Sequence, residues 1–156
     1  MRNLRWQQTP GRNGSGLLRV ALLGCCAGFS ACAVEAPPCP LQEQVALAPS
    51  AGCFAPTAAG LLLVQGINGQ VSVPGGTSAA GESPRCTAFR ETWEETGLRL
   101  RPTELLAVFD TGFHLYRCEH HGDSGAIDPP PRVEVRSAFY VPVTDFGKYV
   151  WRFGYQ

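Results

Sequence analysis

The hydrophobic pattern of the chain first predicts a β-hairpin. Residues 61–66 (LLLVQG) form an apolar run typical of a buried strand, and residues 70–73 can pair with it. Asn68-Gly69 lies between these segments and is a strong signal for a tight hairpin turn. Pro74-Gly75-Gly76 should then break the second strand.

The segments that follow predict one helix and three more strands. Ser83 can cap a helix that has Pro84 in its first turn, and Gly97 can end it, so the helix should span 84–96. Strands are predicted at 104–109, 113–119 and 133–142, with a polar, Pro-rich loop at 120–132. This order predicts an α+β fold with a mixed sheet. No further C-terminal helix is evident: either the sequence is a fragment, or the protein lacks such a cover and one sheet face should be partly bare.

Composition indicates a single globular domain. A chain of 156 residues can bury a sizeable core, and 44% hydrophobic with 17% charged residues excludes both a disordered tail and a membrane bundle. The formal net charge of +0 gives no reason to expect binding to a nucleic-acid polymer. The charges before Glu35 are all basic, namely Arg2, Arg5, Arg12 and Arg19. Without these four, nine basic residues face 13 acidic ones, so a basic leader precedes an acidic domain.

The leader is typical of an exported bacterial protein. Basic residues 1–19 and the apolar run 20–31 fit a secretory signal better than a membrane span, which needs roughly 20 apolar residues. Phe29-Ser30-Ala31-Cys32 resembles the bacterial lipoprotein signal, in which the cysteine is acylated. We expect a signal peptide at 1–31, a Pro- and Ala-rich tether at 32–50, and a folded domain at 51–156 whose first strand lies near Cys53. The expected location is the periplasm, with a lipid anchor at Cys32 as the only membrane contact. The alternatives are a cut before Cys25, a soluble periplasmic protein or an uncleaved start.

The remaining cysteines support export. Without the leader and the acylated residue, four of the seven are left: Cys39, Cys53, Cys86 and Cys118. Four suits two disulfides in an oxidising compartment, and the spacings lack the close CxxC-type pair of a zinc site. Three pairings are open, and buried free thiols are the alternative.

Three carboxylates should lie on one face of the predicted helix. Glu91, Glu94 and Glu95 are spaced i, i+3 and i+4 and fall within an arc of about 100°. Arg90 can offset only part of their repulsion, so this face should bind a cation. Oxygen ligands at this density favour Mg²⁺ or Mn²⁺ over zinc. The alternative interpretation is a solvated run of glutamates.

The other sides of the helix need different partners. The small residues Ala88 and Thr92 flank the acidic arc and should let the helix lie close to a sheet. Cys86, Phe89 and Trp93 point roughly the opposite way. We expect the Pro-rich N-terminal segment to cover them, held by a disulfide at Cys86.

The residues around the helix also follow a fixed spacing. Its defined positions are Gly76, Glu82, Arg90, Glu91, Glu94, Glu95, Gly97 and Leu98. This spacing resembles the Nudix box, G-x5-E-x7-R-E-U-x-E-E-x-G-U, in which U is aliphatic. Thr92 is the one departure, at the first aliphatic position, and should weaken packing slightly. The resemblance covers about residues 50–145 and implies the Nudix fold, an α/β/α sandwich with this helix as its catalytic element.

The resemblance also implies an activity. Nudix hydrolases cleave the diphosphate of a nucleoside diphosphate linked to another group, which makes a small molecule the expected substrate. Divalent ions offset the charge of the diphosphate and lower the pKa of water. By resemblance, Glu94 and Glu95 are the main ligands of Mg²⁺ or Mn²⁺, and Glu91 is a ligand or the catalytic base.

Residues around the helix have supporting roles by the same resemblance. Glu82 assists with the metal and forms a salt bridge with Arg90 that holds the loop on the helix. The Gly75 carbonyl joins the metal shell, and Gly75 and Gly76 let the backbone approach phosphates closely. Glu134 is the candidate for a later glutamate that completes the shell or acts as the base.

Other residues have weaker grounds for a role. His114 could contact substrate, but a strand histidine is more often structural, and His120-His121 should be solvated in a loop. Four residues near the C-terminus could stack on a base, although they more often pack the last segment: Trp151, Arg152, Phe153 and Tyr155. A nucleotide-binding or sensing module without turnover is the alternative to an enzyme. Sugar nucleotides and lipid-linked diphosphates are the alternative substrates.

Overall fold

The computed structural model describes residues 35–41, 47–131 and 134–153. All of them belong to one compact unit, Ala33–Gln156. The predicted signal peptide, the predicted acylation site Cys32 and the stacking candidate Tyr155 lie outside the described residues. Over the part of the chain that is described, no helix has the length and apolar character needed to cross a bilayer.

The strands form two four-stranded sheets instead of one. In chain order the elements are β1 (Ser50–Phe54), β2 (Pro56–Thr57), β3 (Gly60–Gly66), β4 (Val71–Ser72), β5 (Gly75–Thr77), α1 (Pro84–Thr96), β6 (Leu100–Val108), β7 (Phe113–His120), β8 (Val135–Val141) and a 3-10 helix (Val143–Lys148). The first sheet has the order β5-β1-β7-β6 and is mixed, because β1 runs parallel to β7. The second is antiparallel, with the order β2-β3-β4 and β8 paired to β3. The predicted α+β class is confirmed.

The helix begins and ends where its capping signals predicted. The Ser83 hydroxyl accepts a hydrogen bond from the Cys86 N–H at 3.3 Å, which satisfies one of the unpaired donors of the first turn. Gly97 ends the helix in the left-handed conformation with a φ of 79°. A Cβ on Gly97 would lie 2.3 Å from the Asp128 carbonyl oxygen, so the loop after β7 also requires glycine at this position.

Two strand boundaries differ from the prediction because of proline and glycine. β6 begins at Leu100 and runs through Pro102, which is tolerated because β6 is an edge strand with irregular register beyond Pro102. β4 ends before Pro74, as predicted, and Gly75-Gly76 then begin a further strand, β5, which pairs with β1. A Cβ on Gly75 would lie 2.6 Å from the Gly52 Cα, so these two strands meet closely only because both residues are glycine.

Two hydrophobic clusters lie on opposite sides of β3. Leu62 packs with Ala88 of α1 in the first cluster, which confirms the predicted close approach of helix and sheet. Leu61 and Leu63 point into a second cluster. The prediction that one sheet face is partly bare is wrong, because the segment after β8 covers this cluster with three aromatic side chains: Phe146, Tyr149 and Trp151. Trp151 also forms a bridge beside Val71 of β4.

The four cysteines outside the leader form two disulfides. Cys39 is bonded to Cys86, which attaches the Pro-rich segment 35–41 to the first turns of α1. Cys53 is bonded to Cys118 and joins the neighbouring strands β1 and β7 inside the first cluster. The sequence left three pairings open. The fold brings Cys39 next to Cys86 and Cys53 next to Cys118, and these are the pairs that form.

Candidate active site

The acidic face of α1 lines a cavity of about 740 Å³. The backbone of β5 and the hairpin turn between β3 and β4 form other parts of its wall. Four carboxylates line it: Glu91, Glu94 and Glu95 from the helix, and Glu134 from the residue before β8. The structure therefore brings the predicted helix acids and the later glutamate together. Gly75 and Gly76, predicted to approach phosphates, line the same cavity.

Arg90 links residues of the box through hydrogen bonds made from one side of the helix. Its guanidinium forms a bidentate pair with Glu82, with N···O distances of 2.8 and 2.9 Å. Nη1 also donates to Glu91 at 2.7 Å and to Glu94 at 3.1 Å, and Nη2 donates to the Thr77 carbonyl at 2.9 Å. Hydrogen bonding to Glu82 raises the pKa of Arg90 further, so this residue holds carboxylates in place as a permanent cation.

Glu82 is positioned to anchor the loop. Burial pushes its pKa upward, but hydrogen bonds from Arg90, the Ala79 N–H and the Thr87 hydroxyl outweigh burial and lower it. Oε1 contacts Arg90, and Oε2 accepts the other bonds at 2.9 Å each. Glu82 is not among the residues that line the acidic cavity. The expected salt bridge is present, and it directs this carboxylate toward Arg90.

Glu91 lies directly against the backbone of β5. A Cβ on Gly76 would be 2.5 Å from the Glu91 Cδ and from one of its carboxylate oxygens. The box glycine is thus required for space, because any side chain there would displace this carboxylate. Burial raises the pKa of Glu91, with repulsion from Glu94 and Glu82 adding to the effect and Arg90 opposing it.

Glu95 is the most perturbed acid in the cavity. Burial raises its pKa to about 8, and repulsion from Glu91 and Glu134 adds to this effect. The Gly75 N–H opposes the shift by donating to Oε2 at 2.8 Å, and the charge of Arg152 opposes it as well. The hydrogen bond from β5 fixes the direction of this side chain.

A family model of the NUDIX domain matches residues 46–154. The chain belongs to the NUDIX family. Membership confirms both the resemblance carried by the box and the expected enzyme class, a hydrolase of diphosphate bonds.

Solved structures with the NUDIX fold are similar at low sequence identity. An ADP-ribose pyrophosphatase from Streptococcus suis 89-1591 is 21% identical, with a TM-score of 0.59 over 67% of this chain and 79% of that one. A UDP-X diphosphatase is 20% identical, with a TM-score of 0.58 over 72% of this chain and 58% of its own. A NUDIX hydrolase from Nitrosomonas europaea is 17% identical, with a TM-score of 0.54 over 70% of this chain and 82% of that one. These likenesses establish the fold alone. No curated protein matches the chain.

The carboxylate oxygens that line the acidic cavity are suitable ligands for a divalent cation. Within the described residues, no group of three His, Cys, Asp or Glu side chains is arranged to hold a metal ion, and Arg90 donates to Glu91 and Glu94. The cavity nevertheless offers several carboxylates, and burial raises the pKa of two of them, Glu91 and Glu95. Carboxylate oxygens are the ligands that Mg²⁺ and Mn²⁺ prefer.

The weaker sequence candidates are divided between structural and cavity positions. His114 lies beside Tyr116, with 3.5 Å between Nδ1 and the phenol oxygen, and does not line the acidic cavity. His120 contacts Ser124 at 2.8 Å and the Tyr140 hydroxyl at 3.0 Å, so it links the loop to β8. The sequence indicates Arg152 only as a stacking candidate. In the structure it is the one positively charged side chain among the described residues that line the acidic cavity.

Proposed function

We propose that this NUDIX protein hydrolyses the diphosphate bond of a nucleoside diphosphate linked to another group, with Mg²⁺ or Mn²⁺ as cofactor. Glu91, Glu94 and Glu95 would hold the ion, and Glu134 completes the acidic lining. The observation that carries the proposal is the lining of the acidic cavity. Among its described residues, four have carboxylates and one, Arg152, has a positively charged side chain. Such a surface repels a bare diphosphate but accepts one accompanied by divalent ions.

A bound divalent ion supplies charge neutralisation for the diphosphate and lowers the pKa of water. The chain's own residues orient the reactants. Arg90 holds Glu91 and Glu94, and the Gly75 N–H holds Glu95. Glu91 is either a further ligand of the ion or the base that takes a proton from water, and burial, which raises its pKa, makes it a stronger proton acceptor. Gly75 and Gly76 line the cavity, and Gly76 leaves room for the Glu91 carboxylate beside it.

Two similar structures support a nucleotide-derived substrate. One is named an ADP-ribose pyrophosphatase and the other a UDP-X diphosphatase, and both names describe nucleoside diphosphates carrying a further group. Sugar nucleotides therefore remain within the proposed class. A lipid-linked diphosphate is the alternative substrate, and assays on a panel of diphosphates distinguish it from a nucleotide-derived one.

Phosphate release from a panel of diphosphates with Mg²⁺ or Mn²⁺ tests the activity. Glu94→Gln should lower turnover by at least about 100-fold while leaving the protein folded, because it removes one negative charge from the cavity. Glu104→Gln is the matched control, since Glu104 lies on β6 with 69% of its side chain exposed. An unchanged rate in Glu94→Gln would refute the metal assignment. No turnover by folded wild-type protein would favour a binding or sensing module.

We also propose that the protein is exported and held at a bacterial membrane by acylation of Cys32. Support comes from the sequence of the leader and from the two disulfides, which are typical of oxidising compartments. Mass spectrometry of the protein from membranes should give an acylated N-terminus at Cys32. An unmodified N-terminus at Met1 would refute export, and cleavage without acylation would identify a soluble periplasmic protein.

A further inference from the structure

Thr87 is a buried polar residue that the proposed mechanism does not use. It is fully buried on α1 and is not among the described residues that line the acidic cavity. It occupies one of the undefined positions between Glu82 and Arg90 in the spacing of the box. Its hydroxyl oxygen lies 2.9 Å from Glu82 Oε2, 2.9 Å from Ser78 Oγ and 3.2 Å from the Ser83 carbonyl oxygen.

The Glu82 carboxylate is the best acceptor for the Thr87 hydroxyl. A hydroxyl has a single proton to donate, and hydrogen bonds to an ionised carboxylate are stronger than those to neutral oxygens. Glu82 Oε2 also accepts from the Ala79 N–H and from Arg90 Nη2, at 2.9 Å each. Ala79 lies in an exposed loop, whereas Thr87 is buried on the helix. The Thr87 hydroxyl therefore fixes this carboxylate to the body of the fold.

Arg90 connects the Glu82 carboxylate to the acidic cavity. Its Nε and Nη2 donate to the two oxygens of Glu82 at 2.8 and 2.9 Å, and such a bidentate pair fixes the plane of the guanidinium. Its Nη1 donates to Glu91 at 2.7 Å and to Glu94 at 3.1 Å, and both of these acids line the cavity. The direction of Nη1 thus depends on how Glu82 is held.

We propose that Thr87 is a positioning residue for the diphosphate reaction: by holding Glu82 it orients Arg90, and Arg90 in turn holds Glu91 and Glu94 at the cavity. This inference rests on the proposed function and adds to it a residue outside the defined positions of the box. Removing an outer partner of a metal site commonly costs about 10- to 100-fold in metal affinity or activity. Because Thr87 acts through Glu82 and Arg90, we expect the lower end of that range.

Thr87→Val tests the hydrogen bond, because it removes the hydroxyl and nearly keeps the shape of the side chain. At saturating Mg²⁺ it should lower kcat by about 10-fold and change KM by less than about 2-fold, since no cavity residue is altered. Thr87→Ser keeps the hydroxyl and should retain most of kcat. Thr87→Ala is the second variant without a hydroxyl, should the valine variant not fold, because alanine favours the helix.

Thr96→Val is the matched control. It makes the same change at an equally buried position of the same helix, but the hydroxyl that it removes bonds only to backbone groups. It should lose stability and keep kcat, so a loss of kcat in Thr87→Val would not follow from lower stability alone.

Hydrogen exchange of the Arg90 Nε–H, measured by NMR in metal-free protein, tests the same link without turnover. In wild-type protein this group donates to Glu82 Oε1 at 2.8 Å. Its exchange with solvent should be about 10-fold faster in Thr87→Val, because a weaker hold on Glu82 lets the pair open more often. Thr87→Ser and Thr96→Val should exchange at nearly the wild-type rate.

The outcomes separate this inference from the proposed function. Unchanged exchange at Arg90 in Thr87→Val would overturn the inference whether or not diphosphates are hydrolysed. In active protein, an unchanged kcat in Thr87→Val, or an equal loss in Thr96→Val, would also overturn it. If folded wild-type protein turns over no diphosphate, the proposed function fails, and faster exchange in Thr87→Val alone still supports the positioning of Arg90.

Discussion

Replacing Thr92 with valine should stabilise the protein. Thr92 is fully buried on α1, at the box position where an aliphatic residue is expected. Among the described residues, its Oγ1 is the buried side-chain oxygen that has no hydrogen-bond partner. Valine has nearly the same shape, so the substitution removes an unpaired hydroxyl without opening a cavity. Both residues are β-branched, so the helix propensity changes little.

The expected gain follows from the cost of burying an unpaired polar group. A buried hydroxyl without a partner costs about 1–3 kcal/mol, so Thr92→Val should raise the free energy of unfolding by about 1–2 kcal/mol. For a domain of this size, each 1 kcal/mol shifts Tm by roughly 2–8 °C. Urea unfolding followed by circular dichroism measures the change directly.

Thr96 is the matched control, one turn later and equally buried. Its Oγ1 donates to the Thr92 carbonyl at 2.6 Å and accepts from the Leu98 N–H at 3.0 Å. Thr96→Val should therefore destabilise the protein by about 1–3 kcal/mol, because it leaves those groups unpaired. If Thr92→Val is no more stable than wild type, or if both variants lose stability alike, the Thr92 hydroxyl has a partner and the reasoning is refuted.

Three further predictions concern the site and its supports. Gly76→Ala should lower turnover by at least about 10-fold, because its Cβ would lie 2.5 Å from the adjacent carboxylate, whereas Gly147→Ala, with nothing within 4 Å, should be neutral. Replacing Cys39 and Cys86 with serine should lower the free energy of unfolding by about 2–5 kcal/mol in urea titrations, and equal stability would contradict the pairing. In EDTA, Glu95 should make the free energy of unfolding fall as the pH rises from 4.5, its ordinary pKa, to about 8, the pKa to which burial raises it. The slope should reach ~1.4 kcal/mol per pH unit, because in this range the folded protein keeps a proton that the unfolded chain has lost. Glu95→Gln should flatten that slope, and an unchanged slope would contradict the assignment.

Local signals predicted the elements that depend on neighbouring residues. Ser83, Pro84 and Gly97 set both ends of the helix, because capping is decided within a few residues. The Asn68-Gly69 turn and its two strands follow for the same reason. The spacing of the helix acids also placed three of the four cavity carboxylates, since residues three and four apart share a helical face.

Features that depend on distant pairing could not be read from the sequence. β5 exists because Gly75 lies opposite Gly52, and the pairing of the two disulfides follows from which strands and segments become neighbours. Arg152 reaches the cavity only because Trp151 bridges to Val71, some 80 residues earlier in the chain. β6 runs through Pro102, which its place at the sheet edge allows, and that place becomes known only with the topology.

The glutamates of the box experience opposite environments although they lie on one short stretch of chain. Glu82 receives a bidentate guanidinium, a backbone N–H and a hydroxyl, and its pKa falls despite burial. Glu95 receives one backbone N–H, and its pKa rises to about 8. Arg90 pairs with Glu82, Glu91 and Glu94, so one guanidinium cannot balance all the negative charge of a cavity that Glu95 and Glu134 also line. Arg90 thus stabilises the loop, and the remaining negative charge of the cavity supports the proposed binding of a cation from solution. For this reason a divalent ion should bind more tightly as the pH rises through the range in which Glu91 and Glu95 lose their protons.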